Sequence, residues 1–322
     1  MNSITPFVTA LAEELVRSER QGTARSYISS IRKLNLFAQC DTLTFDELTP
    51  ALLKRYELYL YADGCKRNSV SLYMRMLRSI FNQACRRGIA TPVVGLFDEV
   101  FTGTDSSEKR AASPKVIKRL NEIELGKDDA LIFARDIFLL SFFLRGIPFV
   151  DLAHLRKSDI RMGVLRYRRS KTNRLLTVAL EPCAQALFRK YALQTKDSPY
   201  LLPIISRPGC DEYLQYQSAL RLYNKRLSRL SEILKLKTSL TSYVARHSWA
   251  TAAYRQGIPV AVISESLGHA SEKVTYTYLA SFENRTLRNA NRKVIALLDF
   301  KEEREPSFSK PPSFKTKNSV FQ

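Results

Sequence analysis

The sequence predicts a mainly α-helical protein in two parts, the second carrying one small β-hairpin. Three observations lead there. Residues 1 to about 100 place apolar side chains at helical spacing almost without a break. An aperiodic stretch rich in Pro, Gly and Ser follows, and beyond it two short alternating runs flank a turn. At 322 residues there is chain enough for two hydrophobic cores.

The elements follow in order. Thr5-Pro6 opens an amphipathic helix reaching Arg20, since proline suits a first helical turn. From Thr23 to Cys40, the residues Tyr27, Ile28, Ile31, Leu34 and Phe37 recur at helical spacing. Thr44 with Glu47 three residues later makes a capped turn, and Thr49-Pro50 starts a helix through Tyr61. Another helix starts at Asn68 or Ser69 and stops at Gly88, with Leu72, Met76, Ile80 and Ala84 along one stripe. Together these make a helical domain over residues 1–100. Periodicity fades from about Ala90, and residues 101–114, with Gly103-Thr-Asp-Ser-Ser and Lys109-Arg110, read as a basic linker. Helical patterning resumes at Lys115. The most apolar stretch, Ala130 to Leu144, contains Arg135 and Asp136 and is too short to span a bilayer, so it is a core helix. Val164-Leu-Arg-Tyr-Arg and Leu175-Leu-Thr-Val-Ala-Leu, joined by residues 169–174, give the hairpin. The rest is helical to about Phe300, closing a second domain over 115–300, and the polar, proline-containing residues 301–322 form a flexible tail.

Composition narrows the function. The chain has 51 Lys and Arg against 31 Asp and Glu, a formal net charge of +20, which points to a phosphate polymer as partner without separating DNA from RNA. The N-terminus lacks the basic region of a signal peptide, and Glu13 and Glu14 soon follow, so no signal peptide is expected. Together with the cysteine pattern, this predicts a cytoplasmic protein with no membrane segment. The five cysteines are widely spaced without a C-x-x-C, and the three histidines do not cluster with carboxylates. Neither a disulfide framework nor a metal is expected. In the front half, Lys66, Arg67, Asn68, Ser71, Tyr73 and Arg75 lie on one helix that suits phosphate contacts along a duplex, with a solvated charged face as the alternative.

The chemistry concentrates near the C-terminus. Arg246 begins a helix that stops at Gly257, and Pro259 begins another that stops at Gly268. His269 therefore emerges at a helix end, and Ser271 caps a further short helix that carries Tyr278. An arginine, an imidazole and a phenol at the ends of short elements suit transesterification at phosphorus. Arginine forks hold non-bridging oxygens in the five-coordinate transition state, and a tyrosine hydroxyl forms a stable phosphate ester. No cofactor is required, because the covalent link keeps the bond energy for religation.

Gly268-His269, then Tyr278, with Arg246 upstream, resembles the catalytic domain of the tyrosine recombinase (phage integrase) family. Ser170-Lys171-Thr-Asn-Arg-Leu-Leu-Thr-Val-Ala-Leu180 is similar to that family's β-hairpin, which implies that Lys171 is the general acid on the leaving 5′-oxygen. The segment from Arg145 through Asp151 to Ile160 resembles its first arginine motif, and the front half its SAM-like core-binding domain. The resemblance covers residues from about 5 to 295. It implies catalytic roles for Arg145, Lys171, Tyr243, Arg246 and His269, with Tyr278 as nucleophile.

Two departures stand out. The family's first arginine lies three residues before the acidic position, and that slot is Pro148 here, with Arg145 one helical turn upstream. The histidine of the family's H-x-x-R is replaced by Tyr243 in Tyr243-Val-Ala-Arg246. A bacterial subgroup with R-G-x-x-F-x-D and Y-x-x-R shares this pattern. Tyr276 is a rival nucleophile that fits packing better, and Asp151 either orients an arginine or caps a turn. The basic segment 279–300 docks on a neighbouring protomer or on its own domain.

The resemblance implies a site-specific recombinase acting on double-stranded DNA with inverted-repeat target sites, as a homotetramer on DNA. Its outcome is integration or excision of a mobile element, or inversion of a segment. Two alternatives stay open: a type IB topoisomerase-like nicking-closing enzyme, and a catalytically impaired DNA-binding or directionality protein, which the missing arginine at Pro148 keeps alive.

Overall fold

The computed structural model describes residues 2–105 and 111–279, and the helix Asn284–Ile295, with side chains there at 288 and 291–295. The expectations for 106–110, for 280–283 and for everything from 296 on, the 301–322 tail included, lie outside the described residues.

The front half is the expected helical bundle: α1 (Ile4–Arg17), α2 (Gln21–Ala38), α3 (Pro50–Ala62) and α4 (Arg67–Arg86). Local chemistry sets the boundaries. Thr49 Oγ1 accepts the Leu52 N–H at 3.2 Å in front of Pro50, and the Glu47 carboxylate accepts both the amide and the hydroxyl of Thr44 at 2.7 Å. Val8, Leu34, Leu53, Leu60 and Met74 meet in the core without solvent exposure.

The buried stripe of α4 differs from the expectation. Val70, Met74, Leu77, Phe81 and Ala84 face inward with Ile80, while Leu72 is 42% exposed. A strict four-residue spacing from Leu72 drifts off one face of a helix that turns every 3.6 residues, whereas alternating steps of four and three track it.

The start of the expected linker is bound to the same helix. Asn68 exchanges two hydrogen bonds with the backbone of Asp105, and the Ser71 hydroxyl donates to the Gly103 carbonyl. The Arg67 guanidinium sits 4.1 Å from the centre of the Phe101 ring.

The second half builds a separate core around α6 (Asp129–Phe143), which packs on α5 (Pro114–Glu122), α8 (Pro182–Tyr191), α9 (Glu212–Ile233) and α10 (Val244–Arg255). Contacts on several sides explain why apolar residues occur all round it, broken only by polar residues such as Arg135 and Asp136, which pair with each other. After α7 (Phe149–His154) comes an antiparallel sheet ordered β1-β2-β3, with β1 (Ile160–Arg161), β2 (Val164–Arg168) and β3 (Leu175–Ala179). Leu165 pairs with Val178 and Tyr167 with Leu176 on the buried face. The two-residue β1 was not expected, being too short to show alternation. Three short helices, α11 (Val260–Leu267), α12 (Glu272–Tyr276) and α13 (Asn284–Ile295), complete the order, and a small apolar cluster of Ala250, Ala253, Ile263, Leu267 and Leu279 ties α10 to α11. No helix among the described residues is long and apolar enough to cross a membrane, and no group of side chains among them would hold a metal ion.

Candidate active site

The site is built from chain turns that stop helices. After α6, Arg145 (φ 58°) and Gly146 (φ 70°) both take the left-handed conformation, and the Gly146 amide returns to the Ser141 carbonyl at 2.8 Å. This turn aims the Gly146 carbonyl at Nη1 of Arg246, 2.8 Å away. A Cβ at residue 146 would stand 2.7 Å from the Cα of Arg246, so only glycine fits.

Arg246 lies in the first turn of α10 and is 2% exposed. Its Nη2 donates to the Leu267 carbonyl and lies 3.0 Å from Nε2 of His269, while its Nε finds no partner. Burial, and then the positive charge of Arg169, bring its pKa down to about 10, so it stays charged at neutral pH.

Gly268, left-handed at φ 64°, ends α11 and turns His269 into the interior, where it is 2% exposed. Arginine can only donate, so Nε2 of His269 accepts, and Nδ1–H donates to the Thr275 hydroxyl at 2.8 Å. Burial, followed by the charges of Arg246, Arg169 and Lys171, lowers the imidazole pKa to about 3. His269 is therefore neutral, with both ring nitrogens engaged.

Tyr278 follows two residues after α12 instead of lying on it, its amide bonded to the Thr275 carbonyl at 2.8 Å. Ser271 takes the cap position of α12 without a side-chain bond. The Tyr278 ring lies between two imidazoles, with centroids 4.7 Å from His247 and 4.8 Å from His269, and covers the Arg246 guanidinium at 5.5 Å. Tyr243, the residue before α10, is 56% exposed; desolvation and then the neighbouring Tyr278 raise its phenol pKa. Tyr276 is 55% exposed.

The hairpin turn closes over the same place. Asp151 on α7 is buried; its Oδ1 accepts the Ser170 amide at 2.9 Å and the Ser170 hydroxyl, and its Oδ2 has no partner. Burial raises its carboxyl pKa. Lys171 sits exposed on that turn, near enough for its charge to act on His269. Arg174 donates to the His269 carbonyl at 3.0 Å. Arg145 reaches the sheet instead, its Nη1 3.4 Å from the Thr177 carbonyl. The geometry thus gathers Arg246, His269, Tyr278, Tyr243 and Lys171, and adds Arg169. The Arg169 side chain is 6% exposed, and its Nη1 donates to the Gly268 carbonyl at 2.7 Å. Sequence reasoning passed over it as one hairpin charge among several. The signal was parity: residues 165 and 167 lie on the inward face of β2, and 169, the residue just past the strand, continues that alternation and points inward with them.

Of the side chains expected to touch nucleic acid, Lys66, Arg67 and Arg75 are exposed and Tyr73 is half-buried. Ser71 is a correction: it is fully buried and bonded to the 101–105 segment, which Asn68 also holds.

A buried cationic cluster beside a half-buried phenol, with an exposed hairpin lysine near it, is suited to an oxyanion such as phosphate. Residues 3–92 match the phage integrase SAM-like domain, and residues 127–285 match the phage integrase family. The chain belongs to the tyrosine recombinase, or phage integrase, family. Members are enzymes that cut and rejoin DNA strands, and the helical bundle with its small-sheeted catalytic partner is their architecture.

Similar curated proteins include tyrosine recombinase XerA of Pyrococcus furiosus, 25% identical over 266 residues, covering 72% of this chain and 90% of that protein. XerA of Thermococcus kodakarensis is 22% identical, covering 70% and 74%. Among solved structures, a lambda integrase dimer bound to a COC′ core site aligns with TM-score 0.63 at 16% identity, covering 87% of this chain and 98% of that one. The Tn1549 transposon integrase in complex with transposon right end DNA aligns at 0.61 and 10% identity, covering 91% and 99%. These structural likenesses speak for the fold.

Proposed function

We propose that this tyrosine recombinase is a site-specific enzyme that breaks and rejoins double-stranded DNA through a 3′-phosphotyrosyl intermediate at Tyr278. The observation that carries the reading is the Tyr278 ring lying on His269 and over Arg246, which puts one phenol against a buried guanidinium. Arg246 binds the non-bridging oxygens of the scissile phosphate, and His269, neutral and doubly hydrogen-bonded, fixes that guanidinium. The Tyr278 oxygen bonds to phosphorus as the phenol gives up its proton to solvent water and the bond from phosphorus to O5′ breaks. Lys171 delivers a proton to the departing O5′, and Tyr243, accessible at the rim, hydrogen-bonds a phosphate oxygen. Reversal with a second strand's 5′-hydroxyl completes transfer without cofactor or metal.

On this reading residues 1–100 grip one side of the duplex, through Lys66, Arg67, Tyr73 and Arg75, and residues 115–300 the other. The targets are inverted repeats, bound by four protomers across two sites, with integration or excision of a mobile element, or inversion of a segment, as the outcome. Lambda integrase and Tn1549 integrase have been captured on DNA, which agrees with a duplex partner. The test is a suicide duplex nicked beside the cleavage point. The unaltered chain should accumulate a covalent protein–DNA adduct, and Tyr278→Phe should bind the duplex and give none. An adduct from Tyr278→Phe at the unaltered level would move the nucleophile elsewhere, Tyr276 first.

A further inference from the structure

The phosphate of a strand-transfer reaction needs neutralising from more than one side, and Pro148 occupies the position where the family places its first arginine. Arg145 stands three residues upstream, in the left-handed turn after α6 and not on a helix with Pro148, and its guanidinium is engaged by the Thr177 carbonyl of β3. A different side chain has the better geometry. Arg169 continues the inward face of β2 and is buried, as Arg246 is. The two guanidiniums hold consecutive carbonyls at the end of α11: Arg246 takes Leu267, and Arg169 takes Gly268. Each keeps a buried Nε–H without a hydrogen-bond partner.

Buried, unpaired donors on cations are costly unless a ligand completes them. The pocket also holds more positive than negative charge. Its acid is Asp151, whose Oδ1 serves Ser170 and whose Oδ2 is unpartnered. A phosphodiester brings one negative charge and two non-bridging oxygens, which matches two cations with a free donor each. The Tyr278 ring lies over the Arg246 guanidinium at 5.5 Å, next to the place such a phosphate would occupy.

We infer that Arg169, and not Arg145, is the second guanidinium that binds the scissile phosphate. The inference rests on the strand-transfer reaction proposed for Tyr278. It also explains how the chain tolerates Pro148: the missing arginine is replaced from the hairpin, across the pocket, by a residue two before Lys171.

The test uses the full chain and a nicked duplex carrying the site that the chain selects from random-sequence DNA. Single-turnover adduct formation is compared on an ordinary scissile phosphodiester and on a methylphosphonate at the same position, which lacks the negative charge. Arg169→Ala should slow the phosphodiester reaction by about 10²–10³, with most of that deficit gone on the methylphosphonate, because the charge the arginine neutralises is absent. Arg145→Ala should be slowed far less and show no such rescue. Equal deficits for Arg169→Ala on both substrates would make Arg169 merely structural and overturn the assignment, as would rescue of Arg145→Ala in its place. If thermal melting shows that Arg169→Ala does not fold, Arg169→Lys, which keeps the charge and loses the fork, should be slowed and partly rescued; unaltered rates overturn the proposal. Absence of any adduct from the unaltered chain would instead sink the cleavage reaction itself, and this assignment with it.

Discussion

Protonation of His269 is the sharpest property of a single residue here. Its Nε2 already accepts from Arg246 and its pKa is depressed to about 3, so acidification to pH 5 should leave it neutral. The sign of its stability effect follows. The unfolded chain takes up a proton near the ordinary value of about 6.5, and the folded chain resists it. This site therefore contributes fully above that value, and its contribution falls progressively as pH drops from there toward 3. Nitrogen NMR of the imidazole should report the Nδ1–H tautomer at pH 5, and a titration midpoint near the ordinary value would contradict the buried Arg246–His269 pairing. Asp151 behaves oppositely: burial raises its carboxyl, so its protonated form is the better tolerated one in the folded chain.

At the scale of elements, the turn that ends α6 matters most. Gly146→Ala would place a Cβ 2.7 Å from the Arg246 backbone in a left-handed residue. The conformation alone costs roughly 1–2 kcal/mol for a residue with a Cβ, and the collision adds to it. Melting should fall and adduct formation should fall further, because the Gly146 carbonyl orients Arg246; wild-type melting and activity together would remove the turn from the site. Much of this level was legible in the sequence. Caps and prolines announced α3 and α11, and alternation announced β2 and β3. Gly268 marked the helix end that presents His269. What escaped had physical causes. A two-residue strand has no period to read, and the inward side of α4 depended on which stripe tracks the helical turn. Tyr278 lies past its short helix because α12 ends at Tyr276. Arg169 escaped because a charged residue at a hairpin end is usually solvated, although its parity with Leu165 and Tyr167 pointed inward.

The whole molecule carries a net charge of +20, and its affinity for duplex DNA should be governed by released counterions. A plot of log binding constant against log salt should fall with a slope near −0.9 for each phosphate neutralised. Removing Lys66, at the start of α4, and Arg75, on it, both exposed, should flatten that slope by about one for each phosphate no longer neutralised. Substituting the buried Ser71 should act through the 101–105 segment and leave the slope in place; a salt-independent affinity would deny that the front half holds the backbone. The proposed reaction rests on one covalent event, and it can be observed directly. Full-length protein incubated with the nicked duplex, quenched, digested and analysed by fragmenting mass spectrometry should yield a peptide carrying an oligonucleotide on the Tyr278 oxygen. Strand cutting with no nucleotide on that side chain would contradict the reading.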